Sequence, residues 1–244
     1  MWPQAPDGAV MGLRERNKAK RRAAILDAAV ELLNDHPWHE VTNEQIAARA
    51  EVALATVYNL VGTREQLLNA LIGRVLEAVA GEITRTDQSS DGDPLTPMRR
   101  LNDGSTAAFI ASAVSFRRVV AALVLSTETE GHFDLDPAQL HVAALREAQR
   151  AGVIDARFAP EALGRQIYLS YLGALLTWAA GRLDDAGFTM MARHGLLTVL
   201  AATALPPRRD ALLDELHLLT VQAATIVWKP EPSPPRLRAT TKRP

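Results

Sequence analysis

The sequence predicts an all-α fold, and three observations support that prediction. Alanine and leucine dominate a chain in which aromatic residues make up only 5%, and this composition favours helix over sheet. Apolar residues recur at the three- and four-residue spacing of a helix face along most of the chain. Strand-like alternation never persists long enough to compete. With 244 residues and 48% hydrophobic content, the chain can form one large domain or two small ones.

The composition also excludes several kinds of protein. The chain has no cysteine, which excludes disulfides, thiolate catalysis and cysteine-ligated zinc and fits a reducing compartment. Residues 1–12 contain proline, aspartate and glycine rather than the apolar run of a signal peptide. No apolar stretch reaches the roughly 18 uninterrupted residues of a membrane span. We therefore expect a cytoplasmic protein without a membrane partner.

Charge is distributed unevenly along the chain. The net charge is −1, which argues against a protein that merely coats nucleic acid. Residues 14–22, however, contain six basic residues and one acidic residue. Such a cluster suits contacts to phosphate, although the solvated start of a helix has the same composition.

The first helices can be placed from apolar spacing and capping residues. Residues 1–12 are typical of a disordered leader. A first helix is expected over 14–34, with Ile25 and Leu32 on its apolar face, and Pro37 follows its end.

A second helix begins at Thr42, which forms a capping box with Gln45. Residues 51–53 form a turn, and a third helix covers 54–61 and stops at Gly62.

A second capping box, Thr63 with Gln66, opens a long fourth helix. Its apolar face is formed by Leu68, Leu71, Ile72, Val75, Leu76 and Val79. After a polar loop at 86–97, further helices are expected at 97–111, 115–129, 137–151, 160–183, 189–205 and 208–228. We divide the chain into the leader 1–12, a helix-turn-helix domain 13–62, a helical body 63–228 and a disordered tail 229–244.

Residues 42–68 contain two short helices, a tight turn and the start of a third helix, which is the layout of a helix-turn-helix. Residues 14–76 resemble the DNA-binding domain of TetR/AcrR-type transcriptional repressors. The resemblance is carried by the apolar pattern of the first helix and by Thr42, Ile46-Ala47, Ala50, Val52, Thr56-Val57-Tyr58 and Arg64-Glu65-x-Leu67-Leu68. The remaining chain resembles the family only in length and helical character. The resemblance implies a regulator that binds a double-stranded DNA operator.

The expected DNA contacts lie on the helix-turn-helix and on the basic start of the first helix. They are Lys18, Arg21, Arg22, Thr42, Asn43, Ala53, Leu54, Ala55, Thr56, Tyr58, Asn59, Thr63 and Arg64. Small residues keep the leading end of the recognition helix thin enough for a major groove. The resemblance implies phosphate contacts for Tyr58 and Arg64, and Asn59 suits the edge of an adenine. The alternatives are a core aromatic at Tyr58, a helix cap alone at Thr42 and an exposed polar residue at Asn59.

The sequence departs from the family pattern in three places. Glu51 replaces the usual glycine of the turn, where a left-handed backbone strains any other residue. Ala53 replaces the serine or threonine that usually caps the third helix, a loss worth roughly 1 kcal/mol. Leu60 replaces a side chain that donates to phosphate, so the basic arm before the first helix is expected to compensate.

The resemblance further implies that the body binds a small molecule and dimerises. We expect a homodimer through the helices near 160–183 and 189–205, whose small residues would let two copies form a four-helix bundle. An internal helix pair in a monomer is the alternative. An apolar or amphipathic effector is expected in a pocket lined by Phe109, Phe116, Leu123, Tyr168, Tyr171, Leu172, Leu175 and Trp178. Each of these residues is also compatible with an ordinary core.

Two further readings of the sequence stay open. A repressor that releases DNA when an effector binds is favoured, and a constitutive DNA-binding protein with a collapsed pocket is the second hypothesis. An enzyme is disfavoured because no nucleotide-binding or hydrolase motif is present. No cofactor and no metal are expected, since Pro37 breaks the helix that would align His36 with His39.

Overall fold

The computed structural model describes residues 12–86, 92–125 and 136–229, and within these ranges the side chains of 12–75, 92–122 and 136–229. The described chain forms ten α-helices and a short 3₁₀ turn at Trp38–Glu40. The helices are α1 (Leu13–Asp35), α2 (Asn43–Arg49), α3 (Leu54–Leu60), α4 (Arg64–Thr86), α5 (Thr96–Ala111), α6 (Ala113–Leu125), α7 (Gln139–Arg150), α8 (Pro160–Ala179), α9 (Asp185–Thr203) and α10 (Arg208–Ala223). The all-α prediction is confirmed. The predicted leader and tail, apart from Gly12 and Lys229, lie outside the described residues.

The boundary between α8 and α9 differs most from the prediction. α8 ends at Ala179 rather than at 183, because Gly181 adopts a left-handed backbone with φ +73° and its N–H donates to the Trp178 carbonyl at 2.9 Å. α9 begins at Asp185 rather than at 189. The Asp184 carboxylate caps it by accepting from the Gly187 N–H at 2.7 Å, a signal that the sequence carried.

The buried side chains form two apolar clusters. The first cluster runs from the helix-turn-helix (Ile25, Ile46, Val57 and Leu71) into the body, and there it includes Phe109, Phe116, Trp178 and Phe188. Trp178 and Phe188 stack with ring centroids 5.1 Å apart. The core of the predicted domain 13–62 is therefore continuous with that of the body.

The second cluster is formed by the start of α5 together with residues of α7–α10. It includes Met98, Leu145, Ile167, Leu200 and Leu212.

The last helix, α10, packs against α9. Leu212 is 1% exposed in the second cluster. Both Arg99 nitrogens donate to the Glu215 carboxylate, at 2.6 and 2.7 Å, and this bidentate pair joins α10 to α5. Among the helices that the structure describes, none combines the length and the apolar character needed to cross a bilayer.

Candidate DNA-binding site

Two capping boxes fix the frame of the helix-turn-helix. The Thr42 N–H donates to Gln45 Oε1 at 2.8 Å, and the Gln45 N–H donates to Thr42 Oγ1 at 3.2 Å. Thr63 and Gln66 repeat this exchange at the start of α4, at 2.8 and 3.3 Å. Both predicted boxes are confirmed. The remaining free N–H groups of these helix starts carry partial positive charge, which attracts phosphate.

The turn between α2 and α3 is strained at Glu51. Its φ of +54° lies in the left-handed region, where a residue with a Cβ is disfavoured by roughly 1 to 2 kcal/mol. The turn is closed by the Val52 N–H, which donates to the Ala47 carbonyl at 3.0 Å. Ala53 then begins α3 without a side-chain cap. Both expected departures from the family pattern are present in the structure.

The outward face of α3 is small at its start and polar at its end. Val57 is fully buried, whereas Tyr58 is 50% exposed, and Ala53, Ala55 and Asn59 are exposed as well. Tyr58 is therefore not a core aromatic. Because an α-helix can enter a major groove, these exposed residues are the ones that α3 would present to DNA.

Three of the expected contact residues on α2 and α3 are buried or half-buried. Asn43 is 4% exposed, so its side chain is not free at the surface, and the predicted DNA contact of this residue would come from its backbone N–H. Leu54 is half-buried and packs against the first apolar cluster, so only part of its side chain is available to the predicted contact with DNA. Thr56 is half-buried and borders that face.

Arg64 is engaged within the protein. Its guanidinium lies over the Trp38 ring, 4.7 Å from the centroid, and donates to the Trp38 carbonyl. This contact ties the start of α4 to the 3₁₀ turn after α1. The expected phosphate contact of Arg64 would compete with it, and the sequence alone did not reveal Trp38 as the partner because 26 residues separate the two.

The basic segment is the first part of α1 and is well exposed. Lys18 and Arg21 are exposed and Arg22 is half-buried. Two of the three acidic residues later in α1 are paired with basic residues of other helices, Glu31 with Arg49 at 2.9 Å and Asp27 with Arg74. Because those carboxylates have partners, they leave the positive charge of the first turns largely uncompensated.

The residues expected around the effector are mostly part of the packed interior. Phe109, Phe116, Leu175 and Trp178 are at most 7% exposed in the first cluster, whereas Tyr168, Tyr171 and Leu172 are half-buried. The side chain of Leu123 lies outside the described part of the chain. Trp178 donates to Asp185 at 2.7 Å and has the Arg117 guanidinium 4.6 Å from its ring centroid. These contacts make Trp178 a structural anchor between α6, α8 and α9.

Two grooves on the body surface have other linings. One, of about 400 Å³, is lined by Arg99, Asp103, Arg193, Glu215 and apolar residues of α9 and α10. The other, of about 380 Å³, lies between α8 and α9 and includes Gly173, His194 and Trp228. None of the residues expected around the effector lines either groove.

Sequence reasoning missed a set of buried polar residues in the body. Asn102, Ser105 and His141 are at most 7% exposed. Their only signal in the sequence is a polar residue on an otherwise apolar helix face. Within the described residues, no cluster of three or more potential metal ligands is present, and His36 and His39 each lie 3.7 Å from Glu40.

Comparisons with known proteins agree with this geometry. The profile of bacterial regulatory proteins of the tetR family matches residues 25–71. The HTH-type transcriptional repressor KstR of Mycobacterium tuberculosis is 31% identical over 111 residues, which cover 41% of this chain and 47% of that protein. The match thus spans about half the length of this curated relative.

Solved structures extend the similarity to most of the chain. SmeT, the repressor of the Stenotrophomonas maltophilia multidrug efflux pump SmeDEF, is 27% identical with a TM-score of 0.55, over 77% of this chain and 92% of SmeT. FadR of Thermus thermophilus, a TetR family repressor in complex with lauroyl-CoA, is 22% identical with a TM-score of 0.58, over 74% and 93% of the two chains. Residues 25–71 thus match the tetR family of bacterial regulatory proteins, and most of the chain is similar in fold to solved repressors of that type.

Proposed function

We propose that the protein is a homodimeric transcriptional repressor that a small apolar or amphipathic effector releases from a palindromic operator. The observation that carries the proposal is the exposed face of α3, with Tyr58 and Asn59 on a helix-turn-helix whose flanking helices are capped. A protein that binds chromosomal DNA in a bacterium works in the cytoplasm. Enzymatic activity is not part of the proposal.

The DNA contacts follow from what each exposed group offers. The Tyr58 hydroxyl and the N-terminal groups at Thr42 and Thr63 are suited to phosphate, and Asn59 is suited to a base edge. Lys18 and Arg21 add positive charge from the start of α1. Arg64 contributes mainly by fixing the start of α4 through Trp38.

The dimer is supported by the pairing of α8 with α9. A Cβ at Gly195 would lie 2.7 Å from the Ser170 Cβ, so the two helices approach closely and form a rigid pair. On the outer side of α8, Leu169 is 51% exposed, and the space around Gly173 is open. Small and apolar residues on an exposed helix face suit packing against a second copy. A palindromic operator requires such a two-fold dimer.

A mechanical link between the body and the helix-turn-helix supports control by an effector. Arg118 of α6 donates to the carbonyls of Leu33 and His36, at 2.7 and 2.9 Å, at the end of α1. Ser115 donates to the Asn34 side chain at 2.6 Å. An effector that shifts α6 or α4 would therefore move α1–α3 and change the spacing of the two recognition helices.

Sequencing the DNA fragments bound by the purified protein tests the operator. We expect a palindromic site, uniform weakening by Tyr58→Phe across sequences, and relaxed preference at one base pair in Asn59→Ala. Gln139→Ala, an exposed change on α7, serves as the control. An unchanged site preference in Asn59→Ala would rule out base reading by that residue.

Gel shifts with a broad set of apolar compounds test the switch. The ligand-responsive function requires that at least one compound lowers operator affinity. If none does, the second hypothesis of a constitutive DNA-binding protein replaces it. Gly173→Arg tests the dimer, because a long cation on the proposed contact face should yield monomers that bind a full operator weakly.

A further inference from the structure

A set of four polar residues separates the two apolar clusters inside the body. Asn102 and Ser105 lie on α5, His141 on α7 and Tyr171 on α8. We call these residues the polar belt. Each of them sits on a helix face whose other residues belong to the apolar core.

The order of residues along α5 shows how the belt divides the core. Met98 belongs to the second cluster and Phe109 to the first. Asn102 follows Met98 by one helical turn, and Ser105 precedes Phe109 by one turn. Leu101, next to Asn102, also belongs to the first cluster. Asn102 therefore lies where cluster membership changes along α5, and Ser105 lies about one turn farther into the first cluster.

α8 and α7 repeat this order. On α8, Ile167 belongs to the second cluster and Leu175 to the first, with Tyr171 one turn from each. On α7, Leu145 belongs to the second cluster, His141 lies one turn earlier, and the neighbouring Leu140 packs against the first cluster. On each of the three helices, a polar residue thus lies close to the point where residues of the second cluster give way to residues of the first.

Several polar atoms of the belt lack a partner within the described part of the chain. They are Asn102 Nδ2, His141 Nδ1 and Tyr171 Oη. The Ser105 hydroxyl donates to the Asn102 backbone carbonyl at 3.0 Å, and its interaction with the Tyr171 phenol partly offsets the increase in pKa that burial causes. Buried polar groups in native proteins are nearly always paired, so three unpaired groups close to this boundary indicate a polar binding partner.

The belt is uncharged near neutral pH. Burial lowers the pKa of His141 to about 4, and burial raises the pKa of the Tyr171 phenol. Among the described buried residues the single carboxylate is Asp155, which is bound by Arg157 at 2.6 Å. A charged ligand group would find no buried counter-charge here, and its desolvation would be costly.

We infer that the polar belt is the recognition element for the effector, and that this effector is an uncharged molecule with an apolar body and a carbonyl or hydroxyl oxygen. The inference rests on the proposed function. Tyr171 Oη and Asn102 Nδ2 donate to the ligand oxygen, and the apolar body of the ligand packs between the two clusters. The clusters separate to admit it, because opening the core at the belt exposes groups that gain hydrogen bonds to the ligand.

A matched set of probes tests the ligand class on the full-length protein. Methyl octyl ketone, n-decane and decanoate share one chain length and differ in the polar end. We expect the ketone to bind at least about tenfold more tightly than either of the others, as measured by tryptophan fluorescence, and to release operator DNA. Equal binding of ketone and alkane, preferred binding of the carboxylate, or binding of none of the three would overturn the inference.

Two variants test the residues. Tyr171→Phe and Asn102→Leu should each lower ketone affinity about tenfold or more, because each removes a donor to the ligand oxygen. Tyr171→Phe should do so without lowering the melting temperature, because Tyr171 Oη has no hydrogen-bond partner in the described part of the chain. Thr203→Val is the control. It also deletes a buried hydroxyl, but one that donates to the Val199 carbonyl at 2.8 Å, and its ketone affinity should not change.

The other outcomes are equally decisive. If Tyr171→Phe lowers the melting temperature and leaves ketone affinity unchanged, the belt is structural and internal water satisfies it. Operator binding without ligand separates this failure from a failure of the proposed function. Intact operator binding with no role for the belt rejects only the effector class, whereas absence of any operator rejects the regulator itself.

Discussion

The helix-turn-helix and the body differ in where their polar groups lie and in whether those groups have hydrogen-bond partners. In the helix-turn-helix, Thr42 and Thr63 each exchange two hydrogen bonds with a glutamine three residues away, at the surface. In the body, Asn102 and His141 are buried between two apolar clusters and have atoms without a partner in the described chain. The first region is built to hold one shape against DNA. The second contains a level at which separating the helices costs less than elsewhere in the core.

The largest expected effect that tests this contrast is a change of folding stability with pH. Burial lowers the pKa of folded His141 to about 4, below the value of about 6.5 in an unfolded chain. The unfolded state therefore binds the proton more tightly, and stability is lost as the pH falls from about 6.5 towards 4. We expect a loss of about 3 kcal/mol at the acid end, measured by urea unfolding.

His141→Gln should flatten that pH dependence, and His217→Gln is the matched control because His217 is exposed on α10. If His141→Gln loses as much stability at acid pH as His217→Gln does, the buried imidazole is not the cause of that loss. The contrast between the two regions is then weaker.

The next test concerns the link between the two regions. Arg118→Ala removes two charge-assisted hydrogen bonds to the end of α1, at 2.7 and 2.9 Å. We expect a loss of about 2 kcal/mol in the free energy of unfolding and a weaker effect of ligand on operator binding. Arg150→Ala, which removes a surface pair with Glu147, should change stability by less than about 1 kcal/mol. A full ligand response in Arg118→Ala would show that α4 alone carries the signal.

The smallest expected effect lies in the helix-turn-helix. Glu51→Gly relieves a left-handed backbone with φ +54° and should stabilise the protein by about 0.5 to 1 kcal/mol. The change should show as a higher urea midpoint with an unchanged slope. Glu44→Gly, in the first turn of α2, is the control and should destabilise. Loss of DNA binding by Glu51→Gly would mean that the strained turn itself serves recognition.

The same contrast explains which features could be predicted from the sequence. The caps at Thr42 and Thr63 and the strain at Glu51 depend on residues a few positions apart, so the sequence revealed them. The burial of Asn43 and the packing of Arg64 on Trp38 depend on tertiary contacts, which cannot be predicted from local sequence patterns.

In the body, the apolar character of a residue does not show whether that residue lines a pocket or fills the core. Phe109 and Trp178 were expected near an effector, and both fill the first cluster. The informative residues were polar ones such as Asn102, whose significance depends on the helices that surround it.

The continuous first cluster bears on how this protein can be engineered. Ile25 and Val57 belong to the same apolar core as Phe116 and Trp178, and Arg118 and Ser115 hold the end of α1 from the body side. A graft that exchanges residues 13–62 with those of another regulator would cut through this core. A functional chimera therefore has to include α6 together with the helix-turn-helix. For the same reason, the two regions should unfold in a single transition rather than separately.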